Sequence, residues 1–195
     1  MATKKAHGII ALDLPQAELS EATRGYFAKA KEKLGLLPNV LAAYAFDEKK
    51  LRAFTDMYND LMLGESELTK LEREMIAVVV SSINHCYYCL TAHGAAVRQL
   101  SGDPQLGEMM VMNYRAADLT PKQKAMLDFA MKVCLESGKI NDADFETLRG
   151  HGFTDEDIWD IGGISAFFGL SNRMANLTNM RPNDEFYLLG RMPKK

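Results

Sequence analysis

The chain is poor in cysteine, tryptophan and proline: its 195 residues include three cysteines, one tryptophan and six prolines. So few cysteines, and an odd number, exclude a disulfide-stapled scaffold; at this length an ordinary aliphatic core can carry the fold. Long hydrophobic runs are also missing. Met75–Val80, for one, has six residues, against about twenty for a membrane-spanning helix. Positive charge is not in excess, since 23 Lys and Arg face 26 Asp and Glu for a net charge of −3. With no Lys/Arg cluster, a nucleic-acid surface is not expected, and neither is a membrane partner. The N-terminal MATKKAHGIIALDLPQ has positive charges and a short apolar run, but no small-residue cleavage pattern. No signal peptide is expected there, and the expected location is the cytoplasm. In that reducing compartment a CxxC is catalytic, redox-sensing or metal-binding rather than a structural crosslink.

Alternating strand patterns are absent apart from an ambiguous HGIIAL near the start, and nearly everything else is helical in period. The expected helices run from about Leu19 to Leu34 behind Ser20, Val40 to Phe46, Glu48 to Leu63, and Lys70 to Ile83 behind a Thr69/Glu72 capping box. Asn84 is expected to cap a helix carrying Cys86 to Leu100, and SGDP at 101–104 breaks the chain. Further helices are expected from Thr120–Pro121 to Glu136, Asp142 to Arg149, and Thr154 to about Met180. The fold class is all-α. ELTKLEREM (67–75) and DLTPKQKAM (118–126) echo one another at an offset of 51 residues. One all-α domain over 1–195 is expected, with a CxxC-bearing unit at 19–100 and a second at 118–180 that lacks the cysteines.

The chemistry concentrates in HCYYC, residues 85–89, followed by His93. On a helix Cys86, Cys89 and His93 lie within roughly 60° of one another. Near a helix start, Cys86 would meet unpaired amides and the positive end of the dipole, which favours its thiolate. Two thiols three residues apart can close a disulfide, and an imidazole one turn on can move their protons. Competing readings are cysteines serving as buried hydrophobes, and a zinc site from Cys2His plus a carboxylate, which lacks a second cysteine or histidine pair. A thioredoxin fold is disfavoured by the absence of a βαβ pattern.

Glu74, eleven residues, Cys86-Tyr87-Tyr88-Cys89, three residues and His93 read E-x11-C-x-x-C-x3-H. This pattern, with LGLLPNVLAAYA upstream, resembles the alkyl hydroperoxidase D family of the carboxymuconolactone decarboxylase superfamily, in its peroxidase-related branch. The resemblance implies an all-α fold and a homo-oligomer (dimer, trimer or hexamer). It also implies a thiol peroxidase that needs no metal or organic cofactor, takes a hydroperoxide and is recharged by a thiol or dithiol reductant. It makes Cys89 the attacking thiol, Cys86 the proton donor and resolving thiol that closes a Cys86–Cys89 disulfide, and Glu74 with His93 the proton relay. Glu74 could not reach the thiols along one straight helix, because twelve residues span about 18 Å. The chain must therefore fold back at Ser81–Asn84.

The best-known members of that family carry histidine immediately before the second cysteine, where this chain has Tyr88. A neutral phenol supplies no positive charge. His85 could substitute electrostatically, although a polar helix-start role is the simpler reading. A redox-sensing dithiol protein without significant turnover is therefore the alternative function. A lactone decarboxylase is disfavoured, since the superfamily members with that activity lack the CxxC. Cys134 is read as a packing residue, Trp159 with Phe167 and Phe168 as core or oligomer interface, and Asn172 and Arg173 as either site-facing or surface. The C-terminal RPNDEFYLLGRMPKK is read as an arm packed on a neighbour or mobile.

Overall fold

The computed structural model describes residues 8–15 and 17–192. The signal-peptide reading of the first seven residues, and His7 of HGIIAL, lie outside them. Among the described residues there are nine α-helices and no strand. Helix α1 (Glu21–Leu34) starts where Ser20 Oγ accepts the Thr23 N–H and stops at Gly35, whose φ of 74° is a left-handed cap open to glycine. Helices α2 (Asn39–Tyr44) and α3 (Glu48–Leu63) follow. Helix α4 (Lys70–Ile83) opens with the expected box: Thr69 accepts the Glu72 N–H, and Glu72 accepts the Thr69 N–H at 2.9 Å. Equivalent boxes open α7 (Pro121–Glu136) and α9 (Asp155–Leu177). Between them lie α5 (Tyr87–Ser101), α6 (Pro104–Asn113) and, after α7, α8 (Asp142–Gly150).

Helix α4 is the centre of the molecule. It packs against α5, α6, α7 and α9, so no face is left for water, and Met75 through Ser81 are all at 0% exposure. That accounts for the unbroken Met75–Val80 run, which would be misplaced on a surface helix. β-Branched Val78–Val80 are mediocre helix formers, but each fully buried side chain contributes about 1.5–3 kcal/mol of hydrophobic stabilisation. Burial therefore outweighs propensity. Buried Arg73 ties the α3–α4 turn by donating to the carbonyls of Leu68 (2.9 Å), Leu61 (3.3 Å) and Gly64 (2.9 Å).

Several expectations are corrected. Helix α6 follows SGDP, where none was expected; Asp103 caps it by accepting the Gln105 N–H, and Pro104 opens it. The last helix ends at Leu177 rather than near Met180, and Gly162, Gly163 and Gly169 do not interrupt it. Gly163 instead admits α3, because a Cβ there would lie 2.9 Å from Leu61 Cδ2. Residues 9–12 of HGIIAL form bends, not a strand; Ala11 N–H donates to Thr178 O, and Arg181 N–H to Ile9 O. The C-terminal arm packs on its own chain. Buried Arg98 of α5 donates Nε to Leu189 O and Nη2 to Phe186 O, both at 2.9 Å, and Asn183 braces the α1–α2 turn through Asn39 N–H and Leu37 O.

Candidate active site: a buried dithiol at the α4–α5 corner

The fold-back required by the Glu74 spacing occurs in three residues. Asn84 closes α4, His85 takes a left-handed φ of 48°, and Cys86 is the residue from which α5 departs. Asn84 therefore ends the preceding helix instead of capping the next one. The cap of α5 is Cys86 itself, whose Sγ accepts the Cys89 N–H at 3.4 Å. A sulfur thus occupies the place usually taken by a serine oxygen. A left-handed non-glycine residue costs on the order of 1–3 kcal/mol, and His85 carries that strain next to Cys86. Its imidazole is exposed; its place in the structure is at the backbone corner.

The corner turns α5 back along α4, and Glu74 meets His93: Oε2 and Nδ1 lie 2.6 Å apart, with the two side chains 13% and 14% exposed. The imidazole is further fixed by Phe168, edge-on at 4.6 Å between ring centroids. Cys86 and Cys89 are unlinked and almost fully enclosed, at 0% and 1% exposure. Glu74 and His93 thus form one contact pair and Cys86 and Cys89 another, with His93 one turn beyond Cys89 on α5.

The two thiols are unequal. The Cys89 thiol, acting as donor to the Cys86 sulfur, brings the Cys86 pKa down to about 7, against the opposing effect of burial. The Cys89 amide, the Asn172 side chain and the charge of His93 act in the same direction. Cys89 is pushed well above its ordinary range, first because its proton is shared with Cys86, then by burial and by the Cys86 charge; Asn172 and Ser171 partly offset this. Its Sγ lies 4.0 Å from Ser171 Oγ. The helix-start argument for a Cys86 thiolate agrees with this geometry.

Tyr88 has a structural task. Its phenol oxygen accepts the Val40 N–H at 3.0 Å, in the first turn of α2, and burial raises its pKa. Asn172 is fully buried and faces the corner: its Nδ2 donates to Ser81 Oγ (2.9 Å), and its Oδ1 accepts from Asn84 Nδ2 (3.1 Å). Arg173 points outward and donates to Gly169 O at 2.6 Å. Cys134 is half-buried beside Asn84 Nδ2 at 3.5 Å. Phe167 and Phe168 belong to the core, whereas Trp159 is 78% exposed and does not. Sequence reasoning passed over Tyr44 of α2, which senses the charge of Cys89; the only signal was its place in LGLLPNVLAAYA. Among the described residues, no three or more His, Cys, Asp and Glu side chains are grouped to hold a metal ion. No helix there is long and apolar enough to cross a membrane.

An all-α bundle with a CxxC at a helix start and a Glu–His pair beside it defines a class of dithiol proteins. Residues 48–106 match the carboxymuconolactone decarboxylase family. A peroxidase-related protein from Silicibacter sp. TM1040 is 62% identical over 97% of this chain and 100% of its own, with a TM-score of 0.93. The alkylhydroperoxidase AhpD core of a peroxidase-related protein from Ralstonia eutropha JMP134 is 50% identical over 97% and 100%, with a TM-score of 0.92. The chain belongs to the carboxymuconolactone decarboxylase family, in its alkylhydroperoxidase D-like, peroxidase-related branch. The debrominase Bmp8, solved with 2,3,4-tribromopyrrole, shares the fold at 17% identity over 90% of this chain and 94% of its own, with a TM-score of 0.74. No curated protein matches the sequence.

Proposed function

We propose that the chain is a thiol-dependent hydroperoxide reductase with an antioxidant role, recharged by a thiol or dithiol reductant in the cytoplasm. The observation that carries this reading is the Glu74–His93 pair, 2.6 Å apart, beside two enclosed thiols, one of which is biased toward thiolate. Cys89 passes its proton to the Cys86 thiolate as it attacks the terminal oxygen of ROOH. The S–O bond forms and the O–O bond breaks, giving a sulfenic acid on Cys89 and an alkoxide that takes the proton back from Cys86. Cys86 then attacks the Cys89 sulfur. Hydroxide leaves, and a proton relayed through His93 and Glu74 converts it to water. The dithiol has lost two electrons and the peroxide has gained them. A protein or small-molecule dithiol restores the pair by exchange.

This reading requires that Cys89→Ser abolish peroxide consumption while the protein stays folded. Cys86→Ser should stop at a Cys89 sulfenic acid that dimedone traps, and peroxide-treated protein should show one Cys86–Cys89 linkage by mass spectrometry. Unchanged turnover in folded Cys89→Ser would overturn it. The enclosure of both sulfurs favours one alternative, a dithiol sensor. Background turnover together with an oxidation-dependent change in assembly would select it.

Self-association is part of the same proposal. Trp159, Ala166, Leu170 and Leu177 are exposed along one stripe of α9, with Trp159 and Leu177 78% and 68% exposed. Their spacing of seven, four and seven residues is that of a helix-packing seam. Light scattering of the intact protein at micromolar concentration should give at least a dimer, and Trp159→Ser should weaken it.

A further inference from the structure

We propose that Ser171 of α9 decides which thiol attacks: its hydroxyl donates to Cys89 Sγ and favours the form of the dithiol with the charge on Cys89 and the proton on Cys86. The inference rests on the hydroperoxide reading above and assigns a residue that neither the CxxC motif nor the Glu–His pair includes. Ser171 Oγ lies 4.0 Å from Cys89 Sγ. Ala175, one turn further along the same face of α9, packs in the cluster that holds Cys86, Tyr88 and Cys89. That face of the helix is therefore turned on the dithiol. Ser171 is buried, and its hydroxyl is used differently from those of the other two buried serines. Ser165, on the same helix, donates to Ile161 O at 2.7 Å, and Ser81 donates to Ala77 O at 2.6 Å. Among the described residues, the hydrogen-bonding partner of Ser171 Oγ is the Cys89 sulfur.

The direction of that bond follows from the protons present. Cys89 has one S–H, it is shared with Cys86, and a thiol has no second hydrogen to give. Ser171 is then the donor and Cys89 Sγ the acceptor. At 4.0 Å the contact is slack while Cys89 holds its proton, and charge on the sulfur draws such a donor in. The proton shared with Cys86 and burial hold the Cys89 thiol well above its ordinary range, and Ser171 acts against them. In the ionised pair at rest Cys86 carries the charge and Cys89 the proton; the attacking form is the reverse. Passing from one to the other moves a single proton from Cys89 Sγ to Cys86 Sγ. No electron is transferred, and Ser171 keeps its own hydrogen. Asn172 acts on both sulfurs and separates the two forms little. Ser171 touches Cys89, so its stabilisation falls on the form that attacks.

The test reads each sulfur separately, from the Cβ chemical shift of carbon-13-labelled cysteine as pH is raised. In Cys86→Ala, adding Ser171→Ala should raise the Cys89 midpoint and weaken its ionisation about tenfold, the scale of one hydrogen bond to a charge. In Cys89→Ala the same substitution should leave the Cys86 midpoint where it was, a selectivity that general loosening of the site would not give. Ser171→Thr, which keeps the hydroxyl, should titrate like the parent. In the otherwise unmodified dithiol, Ser171→Ala should slow single-turnover oxidation by tert-butyl hydroperoxide about threefold at pH 7, because a more basic thiolate is rarer but a better nucleophile. An unmoved Cys89 midpoint, equal movement of both cysteines, or a threonine variant no better than the alanine one overturns the proposal. The hydroperoxide reading fails separately, if the parent dithiol is not oxidised at all, since the titrations involve no peroxide.

Discussion

Replacing Cys89 with alanine removes the donor that ranks first in lowering the Cys86 pKa from 9.0 to about 7. Those two units amount to about 3 kcal/mol in favour of the thiolate. At pH 7 roughly half of Cys86 is then ionised, against about 1% at the ordinary value. What remains in the variant is burial, which opposes ionisation, together with the α5 amides, Asn172 and His93, which favour it. The midpoint should climb by at least about one unit, because the strongest favourable contact is gone while the desolvation stays. Thiolate absorbance at 240 nm reads this without requiring a reagent to reach the sulfur, and Cys134→Ala in the same background removes the third thiol's signal. Acid to the midpoint Cys86 is neutral and basic to it charged, so thiolate-dependent oxidation of the parent protein should rise between about pH 6 and pH 8 and then level. In Cys86→Ala the reciprocal change is expected: Cys89, freed of its partner, should titrate lower than in the parent. A Cys86 midpoint still near 7 without Cys89 would refute the paired-thiol account and leave the helix start as the cause.

Glu74→Gln should leave the thiol titration close to that of the parent but cut peroxide turnover at least about tenfold, since general acid–base steps are worth more than that; steady-state peroxide consumption at pH 7 checks it. Tyr88→Phe strips the Val40 N–H of its acceptor, at a cost of about 1–3 kcal/mol. Hydrogen exchange should quicken about tenfold or more in α2, with α4 unaffected. Arg98→Ala removes two charge-assisted bonds to the C-terminal arm and should cost on the order of 3 kcal/mol. Limited proteolysis should then cut first between residues 184 and 192, and intact protection there would count against the arm's being held by Arg98.

The helices that declared themselves in the sequence are those with complete start signals. Thr69/Glu72, Thr120/Gln123 and Thr154/Asp157 each pair a hydroxyl with an acceptor three residues on, and such pairs act locally. Helix α6 had a start signal in Asp103–Pro104, but PQLGEMMVMN offers little contrast between faces, so its periodicity is weak. Asn84 was assigned to the wrong helix because an asparagine suits both ends of a corner, and residue type does not mark a thiol as a cap. The Glu74–His93 meeting was legible only as a requirement that the chain fold back. Asn172 was legible only as either site-facing or surface, because it reaches the corner through tertiary packing, 83 residues after Cys89 in sequence. Trp159 was legible only as core or oligomer interface, for the related reason that a helix period fixes a face without saying whether the chain itself covers it.

A thiolate enclosed at 0% exposure needs the surrounding protein to replace water, because an uncompensated buried charge would neutralise itself. The corner supplies that replacement from fixed groups: the Cys89 thiol and amide, the Asn172 side chain and the His93 charge. Asn172 can serve only because its own amide is held by Ser81 and Asn84. Ser81 in turn is locked by donating to Ala77 O at 2.6 Å within α4. The chain of restraint therefore ends in the one helix that is buried on every side, the element least able to move. The strain of His85 is tolerated at the same corner because relaxing it would displace Cys86 from the start of α5 and separate Glu74 from His93. Rigidity of α4 and placement of the dithiol are, in this fold, one structural property.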